Sequence, residues 1–311
     1  MMHTGVESIL HEVQKVIVGK DDVLEKILMT ILSGGHVLLD DVPGTGKTTT
    51  ALAFSRALGL QYGRIQFTPD VLPSDIVGFS LYRRDSGTFT YQPGAVMTNL
   101  LLADEINRTS SKTQSALLEV MEERQVTVDG VTHPLPDPFV VIATQNPVGS
   151  AGTQLLPQAQ LDRFMVRLVM GYPDFASQVN ILRDRRTGDP LDAVDTVSSA
   201  AALLEMQAQA RAVHVADALL EYITHLAEAS RTHPLVTLGI SPRGALAVCR
   251  MCRSRAMMEG RDYVLPDDVK QLAVPVLAHR LMLQSQSSVR LSQSSEALIG
   301  VLLSKVLVPT E

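Results

Sequence analysis

The apolar run Val37-Leu38-Leu39 followed by Pro43-Gly44-Thr45-Gly46-Lys47-Thr48 leaves this chain few folds to choose from. A strand-like run, a glycine-rich turn and a helical stretch from Lys47 to about Leu58 form the context in which backbone N–H groups converge on a phosphate. Glycines at 44 and 46 let those N–H groups turn inward, and the helix N-terminus adds positive potential. In that setting the Lys47 ammonium bridges β- and γ-phosphates, and the Thr48 hydroxyl serves a magnesium ion. The candidate nucleotide-binding residues are Pro43, Gly44, Thr45, Gly46, Lys47, Thr48 and Thr49. The strict pattern asks for glycine at position 41, where this chain has Asp41. Alone, the motif also fits a glycine-rich turn without a ligand.

A second feature narrows the choice. Leu100-Leu101-Leu102-Ala103 ends in Asp104-Glu105, 57 residues after Lys47. An apolar parallel strand ending in two acids sets them at the carboxyl edge of a sheet, beside the phosphates. Asp104 then holds magnesium through water, and Glu105 orients the attacking water. Further short strands are expected at 65–68, 139–144 and 165–169, with helices such as 113–123 and 175–185 between them. That alternation predicts an α/β fold with a parallel sheet covered on both faces. Two stretches interrupt it. Residues 79–91, with Asp85-Ser86-Gly87 in the middle, and 125–135, with Asp129-Gly130, read as β-hairpins.

Upstream, Leu24, Ile27, Leu28, Ile31 and Leu32 follow helical spacing, with Asp21 as N-cap and Gly34-Gly35 as the stop. Downstream, the character changes near Thr187-Gly188-Asp189-Pro190, and from Val194 onward the periodicity is helical with almost no strand signal. The expectation is an α/β nucleotide-binding domain over 1–187 and an all-α domain over 194–311. A length of 311 residues suits two domains.

Composition excludes several functions. A formal net charge of −6, aromatics at 4% and no Trp disfavour a nucleic-acid partner. No run approaches the roughly 20 apolar residues of a membrane span. Residues 1–20, with Glu7 and Glu12, do not read as a signal peptide. Two cysteines cannot make a disulfide framework, so a reducing, cytoplasmic compartment is expected. Cys249-Arg250-Met251-Cys252 lacks a second ligand pair and reads as two packed cysteines on one helix face. Arg183, Arg185 and Arg186, like Arg250, Arg253 and Arg255, read as solvated or interface helix faces.

Three further residues matter as an ordered set, although singly each is an ordinary surface group. Asn146 follows the strand at 139–144, Arg163 lies in Leu161-Asp162-Arg163-Phe164, and Arg243 opens a helix at Ser241-Pro242-Arg243. With these, nearly the whole chain resembles the AAA+ ATPases and, among them, the MoxR family. The family-like stretches include Gly35-His36-Val37-Leu38-Leu39 through Thr48, Phe67-Thr68-Pro69-Asp70-Val71-Leu72-Pro73-Ser74-Asp75-Ile76, Asn99 through Arg108, Lys112 through Thr127, Ala143-Thr144-Gln145-Asn146-Pro147, Ala159 through Phe164, Gly239 to Arg243, and His279-Arg280.

The resemblance implies roles. Gly44, Gly46, Lys47 and Thr48 match the Walker A loop, and Asp104 and Glu105 match Walker B. Asn146 matches sensor 1, Arg163 the arginine finger and Arg243 sensor 2, which with Glu105 makes the implied catalytic set. The metal ligands are Thr48 and Asp104. The implied fold is a five-stranded parallel sheet sandwiched by helices, followed by a small all-α lid. The hairpins at 79–91 and 125–135 resemble the helix-2 and pre-sensor-1 inserts, which mark the branch including the magnesium-chelatase motor subunit. Many relatives carry acids where this chain has Gly149, Ala151 and Gln158, and Gly94-Ala95-Val96-Met97 replaces a different run before Walker B.

The implied protein is a magnesium-dependent ATPase, a hexameric ring with ATP between the α/β domain and the lid. Its cofactors are ATP and Mg2+. MoxR relatives are chaperone-like motors that mature protein partners, often with a von Willebrand factor A domain protein. A dedicated activase or chelatase motor subunit, a nucleic-acid-stimulated motor and a non-hydrolysing ATP-gated scaffold are the competing readings. The acidic balance disfavours the nucleic-acid motor, and the Asp104-Glu105 pair disfavours the scaffold.

Overall fold

The computed structural model describes residues 3–42, 44–146, 156–184, 186, 188–284 and 294–309. In chain order its strands are β1 (Val37–Asp40), β2 (Tyr62–Gln66), β3 (Gly78–Arg83), β4 (Thr88–Pro93), β5 (Leu100–Asp104), β6 (Gln125–Val128), β7 (Val131–Pro134), β8 (Val140–Gln145), β9 (Val166–Leu168), β10 (Val236–Leu238) and β11 (Met282–Leu283). Five of them form one sheet in the order β2-β5-β8-β1-β9, with every pairing parallel.

Side chains alternate between the two faces of a strand, and here the alternation sorts them into two cores. Val37, Leu39, Leu100, Leu102, Val140 and Ile142 pack with the helices Thr4–Gln14, Asp21–Leu32 and Lys47–Ala57. Leu38, Leu101, Ala103, Val141 and Ala143 pack on the other face with Leu117, Leu118 and Met121 of the helix Ser111–Glu123. These strand residues are fully buried. Burial of each large aliphatic side chain contributes about 1.5–3 kcal/mol, so both faces need covering.

Register then places the site. Asp40 pairs with Gln145, and Ala103 with Ala143. Asp41, Asp104, Glu105 and Asn146 therefore leave the sheet at one edge.

The two hairpins form as expected, β3 with β4 and β6 with β7. They meet where Tyr91 stacks on His133, with ring centroids 3.9 Å apart.

The C-terminal part consists mainly of the helices Ala200–Ala212, Asp217–Thr232, Pro242–Met258, Pro266–Leu277 and Ser295–Lys305. It also contains a two-stranded antiparallel ribbon of β10 and β11, strands too short to carry a periodicity of their own. The apolar core runs without a break from Val6 through Leu191 and Val194 to Leu302. Thr187, at the expected domain boundary, lies outside the described residues.

Two local expectations shift. The second strand starts at Tyr62 rather than 65 and ends at Gln66, because it is a half-exposed edge strand without a continuous apolar run. Lys20, not Asp21, is the N-cap of Asp21–Leu32; the Asp21 carboxylate instead accepts a hydrogen bond from Gln14 Nε2 at 2.9 Å.

Candidate active site

The phosphate loop is held open from below. Lys47 is buried, and its Nζ donates to the carbonyl of Asp41 at 2.6 Å and to that of Gln145 at 3.5 Å. Burial lowers its pKa from the usual lysine value, against the pull of the Asp41 and Asp104 carboxylates. Gly44 and Gly46 have φ of +86° and +88°, a region closed to most side chains, and the space a Cβ would take at Gly44 is empty out to 4 Å. Asp41, the departure from the strict motif, has a structural task. Its carboxylate accepts from Val42 N–H at 2.7 Å and from Gly171 N–H, strapping the loop to the segment after β9. A glycine could do neither.

The two acids are fixed by different neighbours. Asp104 accepts from Thr144 Oγ1 at 2.6 Å on one oxygen and from Arg64 Nη2 at 2.8 Å on the other. Thr144 Oγ1 in turn accepts from Glu105 N–H at 2.9 Å. Glu105 adopts φ +57°, an uncommon left-handed conformation for a residue with a side chain. Its carboxylate accepts from Asn146 Nδ2 at 2.9 Å and from Arg108 Nη1 at 2.8 Å. Burial pushes the Glu105 carboxyl up, but the hydrogen bonds from Arg108 and Asn146 and the Arg108 charge outweigh it and hold it below the usual glutamate value. Asn146 is itself set by Asn107, whose Nδ2 donates to the Asn146 carbonyl at 3.0 Å.

A cavity of about 330 Å³ is lined by Gly44, Gly46, Lys47, Thr48, Thr49, Asp104, Glu105 and Asn146. A second, of about 340 Å³, shares Gly44, Gly46 and Thr49 and continues between Val16, Ile17 and Val18 on one side and Tyr172, Pro173 and Ile181 on the other. Together they make one cleft, with Lys47, two carboxylates and polar groups at one end and mainly apolar walls at the other. Magnesium is usually held by one or two protein oxygens plus phosphates and waters. The Thr48 hydroxyl and the Asp104 carboxylate are such a pair, both lining the polar end. Pro43, Pro147, Gly149 and Ala151 lie outside the described residues.

Arg163 and Arg243 are elsewhere. Both line a separate cavity of about 380 Å³, and both point to one carboxylate: Arg243 Nη2 lies 2.7 Å and Arg163 Nε 3.9 Å from Glu122. The sequence reading sets the nucleotide between the α/β part and the lid, whereas the phosphate-loop cleft draws its described lining from the α/β part. The described walls of the cleft come from residues 16–20, 44–49, 104–146 and 172–181, with no contribution beyond 194. The physical reason is packing. The helix Pro242–Met258 lies against Asp21–Leu32, where Ser254 Oγ meets Ser33 Oγ at 2.7 Å, and its N-terminal Arg243 meets the end of Ser111–Glu123.

Arg64 and the apolar cleft walls escaped the sequence reading, and Asn107, Arg108, Glu122 and Thr144 stood in family-like stretches without a role of their own. The polar residues lie beside the expected motifs but carry no spacing signal of their own. Cys249 is half-buried and Cys252 buried on Pro242–Met258, and burial raises both thiols. No cluster of three or more His, Cys, Asp or Glu able to hold a metal occurs among the described residues.

Comparison with known proteins decides the family. The model of the ATPase family associated with various cellular activities (AAA) matches residues 36–166, and that of the AAA lid domain matches 228–299. The chain is 41% identical over 317 residues to chaperone MoxR1 of Mycobacterium tuberculosis, covering 99% of this chain and 83% of that one. It is 30% identical to the MoxR protein of Methylorubrum extorquens, covering 96% and 93%. The chain belongs to the MoxR family of AAA+ ATPases. YeaC of Bacillus subtilis is similar over the whole length, 44% identical with 100% and 97% covered. A crystal structure from Cytophaga hutchinsonii superposes with a TM-score of 0.89 at 36% identity, covering 98% and 95%. The five-stranded parallel sheet with its helices is thus the AAA+ fold.

Proposed function

We propose that this ATPase is a chaperone-like motor that remodels or matures a protein client, working as a homo-oligomeric, hexameric ring with bound ATP and Mg2+. One observation carries the reading. Lys47, Asp104, Glu105 and Asn146 converge on one cleft, while Arg163 and Arg243 lie together in another cavity. An active site that needs both sets is completed by a second copy of the chain.

In this reading Lys47 and the N–H groups of residues 44–48 hold the phosphates, and Thr48 and Asp104 hold the metal. Magnesium supplies charge neutralisation at the phosphates when bound. Glu105, kept ionised by Arg108 and Asn146, orients the attacking water. Arg163 and Arg243 leave Glu122 to meet the phosphates of the neighbouring copy. The walls at 16–18 and 172–181 hold the base. Parts 1–187 and 194–311 act as motor core and lid.

The chaperone role rests on the likeness to chaperone MoxR1. A von Willebrand factor A domain protein is the expected accessory partner. No described helix is long and apolar enough to cross a membrane, and two free cysteines suit a cytoplasmic setting.

The test is ATP turnover followed against chain concentration, with native mass in parallel. Specific activity should rise steeply as rings form. Specific activity independent of concentration in a monodisperse monomer would overturn the composite site.

A further inference from the structure

Resting on that reading, we propose that Arg280 is a positioning residue for the trans-acting arginines: through Asp162 it ties the segment carrying Arg163 to the lid, so that Arg163 and Arg243 move as one unit.

Arg280 has no route to the nucleotide cleft; it is 3% exposed and sits behind Arg163. A guanidinium has five N–H donors, and all five are taken. Nε donates to Asp162 Oδ1 at 2.7 Å. Nη2 donates to the carbonyls of Asp162 at 3.2 Å and Phe164 at 2.8 Å. Nη1 donates to the carbonyl of Met165 at 3.1 Å and to that of Val276. Four of these five bonds end on residues 162–165. The residue left out is Arg163, whose backbone is thus gripped on both sides while its side chain, unused by the fork, extends to Glu122.

The lid adds two more holds. Ser241 Oγ donates to the Asp162 carboxylate at 3.2 Å, and Gln158 Nε2 donates to the carbonyl of His279 at 2.7 Å. Ser241 is the N-cap of the helix that carries Arg243 two residues on, accepting from Gly244 N–H at 3.1 Å. One carboxylate, Asp162, therefore joins the residue next to Arg163 to the helix start next to Arg243. The Arg280 stem passes so close to that helix that a Cβ on Gly244 would meet its Cδ at 2.9 Å. Gly244 has an ordinary helical conformation, so what favours glycine there is crowding, by the Arg280 stem first and by Ile240 Cγ2 at 3.1 Å second.

The chemistry follows from geometry. Two arginines that must meet the same phosphates need a fixed spacing, and they come from segments 80 residues apart in sequence. A buried fork of five directed bonds holds that spacing in a way a lysine, with three donors on a flexible stem, cannot. The fork then holds Arg163, anchored to the sheet through buried Phe164, at one distance from Arg243, so that the arginine pair is presented together.

The experiment compares Arg280→Lys, Gly244→Ala and Arg163→Ala with the parent, measuring turnover, KM for ATP, affinity for a fluorescent ADP analogue, and ring mass. Arg280→Lys should lower turnover by about tenfold or more, with ADP affinity within about twofold and rings intact. Combined with Arg163→Ala, it should add less than about twofold to the loss, because residues acting as one unit are not additive. Gly244→Ala improves helix propensity and presses chiefly on the Arg280 stem, with Ile240 Cγ2 next at 3.1 Å, so it should reproduce the turnover loss in a stable protein and carries the test if Arg280→Lys does not assemble. Parent-level turnover in Gly244→Ala or in assembled Arg280→Lys, or an equal further loss in the Arg163→Ala background, would overturn the positioning role. Parent-level turnover in Arg163→Ala would instead sink the composite-site reading itself, and the inference with it.

Discussion

Asn146 Nδ2 stands 2.9 Å from Glu105 Oε1, so the residue at the end of β8 holds the carboxylate at the end of β5. Both strands are parallel members of one sheet, and the contact is a direct product of their register. It gives Asn146 a task of its own: it aims the Glu105 carboxylate and helps keep it ionised, the group assigned above to orienting water.

Asn146→Ala should therefore lower turnover by about 10²-fold while leaving ATP affinity nearly unchanged. It should also move the acid limb of the pH–rate profile. Glu105 works ionised, and its folded pKa is depressed partly by the Asn146 hydrogen bond. Activity is retained above that pKa and lost as pH falls through it. Removing the bond raises the pKa, so the acid limb should shift to higher pH. A limb that stays in place would separate Asn146 from the ionisation of Glu105. Glu105→Gln should bind ATP and retain it.

Arg64 sits 2.8 Å from the Asp104 carboxylate, on the edge strand β2. A guanidinium there competes with a metal ion for the same oxygens. Arg64→Gln should lower the Mg2+ concentration needed for half-maximal turnover severalfold. An Mg2+ titration that superimposes on the parent's would remove Arg64 from the metal site.

Lys47→Ala should abolish tight nucleotide binding, and Arg163→Ala should bind ATP but turn it over about a thousandfold more slowly. Each dead chain retains what the other lacks. Mixed rings should regain part of the parent activity, measured after native mass shows both chains in one assembly. Assembled mixtures as inactive as either variant would mean that Arg163 does not act across the interface.

Acid should loosen the core through His36. Val141 N–H donates to its Nδ1 at 3.0 Å, and its Nε2 faces the Met121 carbonyl at 3.2 Å. Burial lowers its pKa to about 4. The unfolded chain takes up the proton near pH 6.5 and the folded one only near 4, so stability is complete above about 6.5 and falls as pH drops across that window, by up to about 3 kcal/mol. Urea unfolding at pH 7.5 and 5 should show the loss, and His36→Asn, which keeps an acceptor for Val141, should shrink it. An unchanged pH dependence in that variant would assign the loss to other groups, such as the buried His279.

What the residues declare by themselves is local. An apolar strand, two glycines and Lys47 at a helix start need only neighbours in sequence to form a phosphate loop, and an apolar strand ending in Asp104-Glu105 carries its acids to the sheet edge wherever that sheet is built. The two hairpins were legible for the same reason, since their turns are written in consecutive residues. The edge strand β2 was only half legible, because partial exposure breaks up its apolar run.

The remaining features are decided by packing between distant segments. Asp41 stands where the strict motif has glycine, and its task emerges only when the chain brings Gly171 to its carboxylate. Arg64 meets Asp104, and Arg280 meets Asp162 across 118 residues of sequence, with nothing in their spacing to announce it. The position of Arg243 depends on the angle at which Pro242–Met258 lies on Asp21–Leu32, a property of two buried surfaces rather than of either helix. Sequence alone thus pointed to the groups proposed for phosphate chemistry, because those groups are carried by short-range backbone geometry. Tertiary structure alone decided which of them share a cleft and which line a separate cavity with Glu122, because only close packing fixes the relative orientation of segments that the chain itself leaves free.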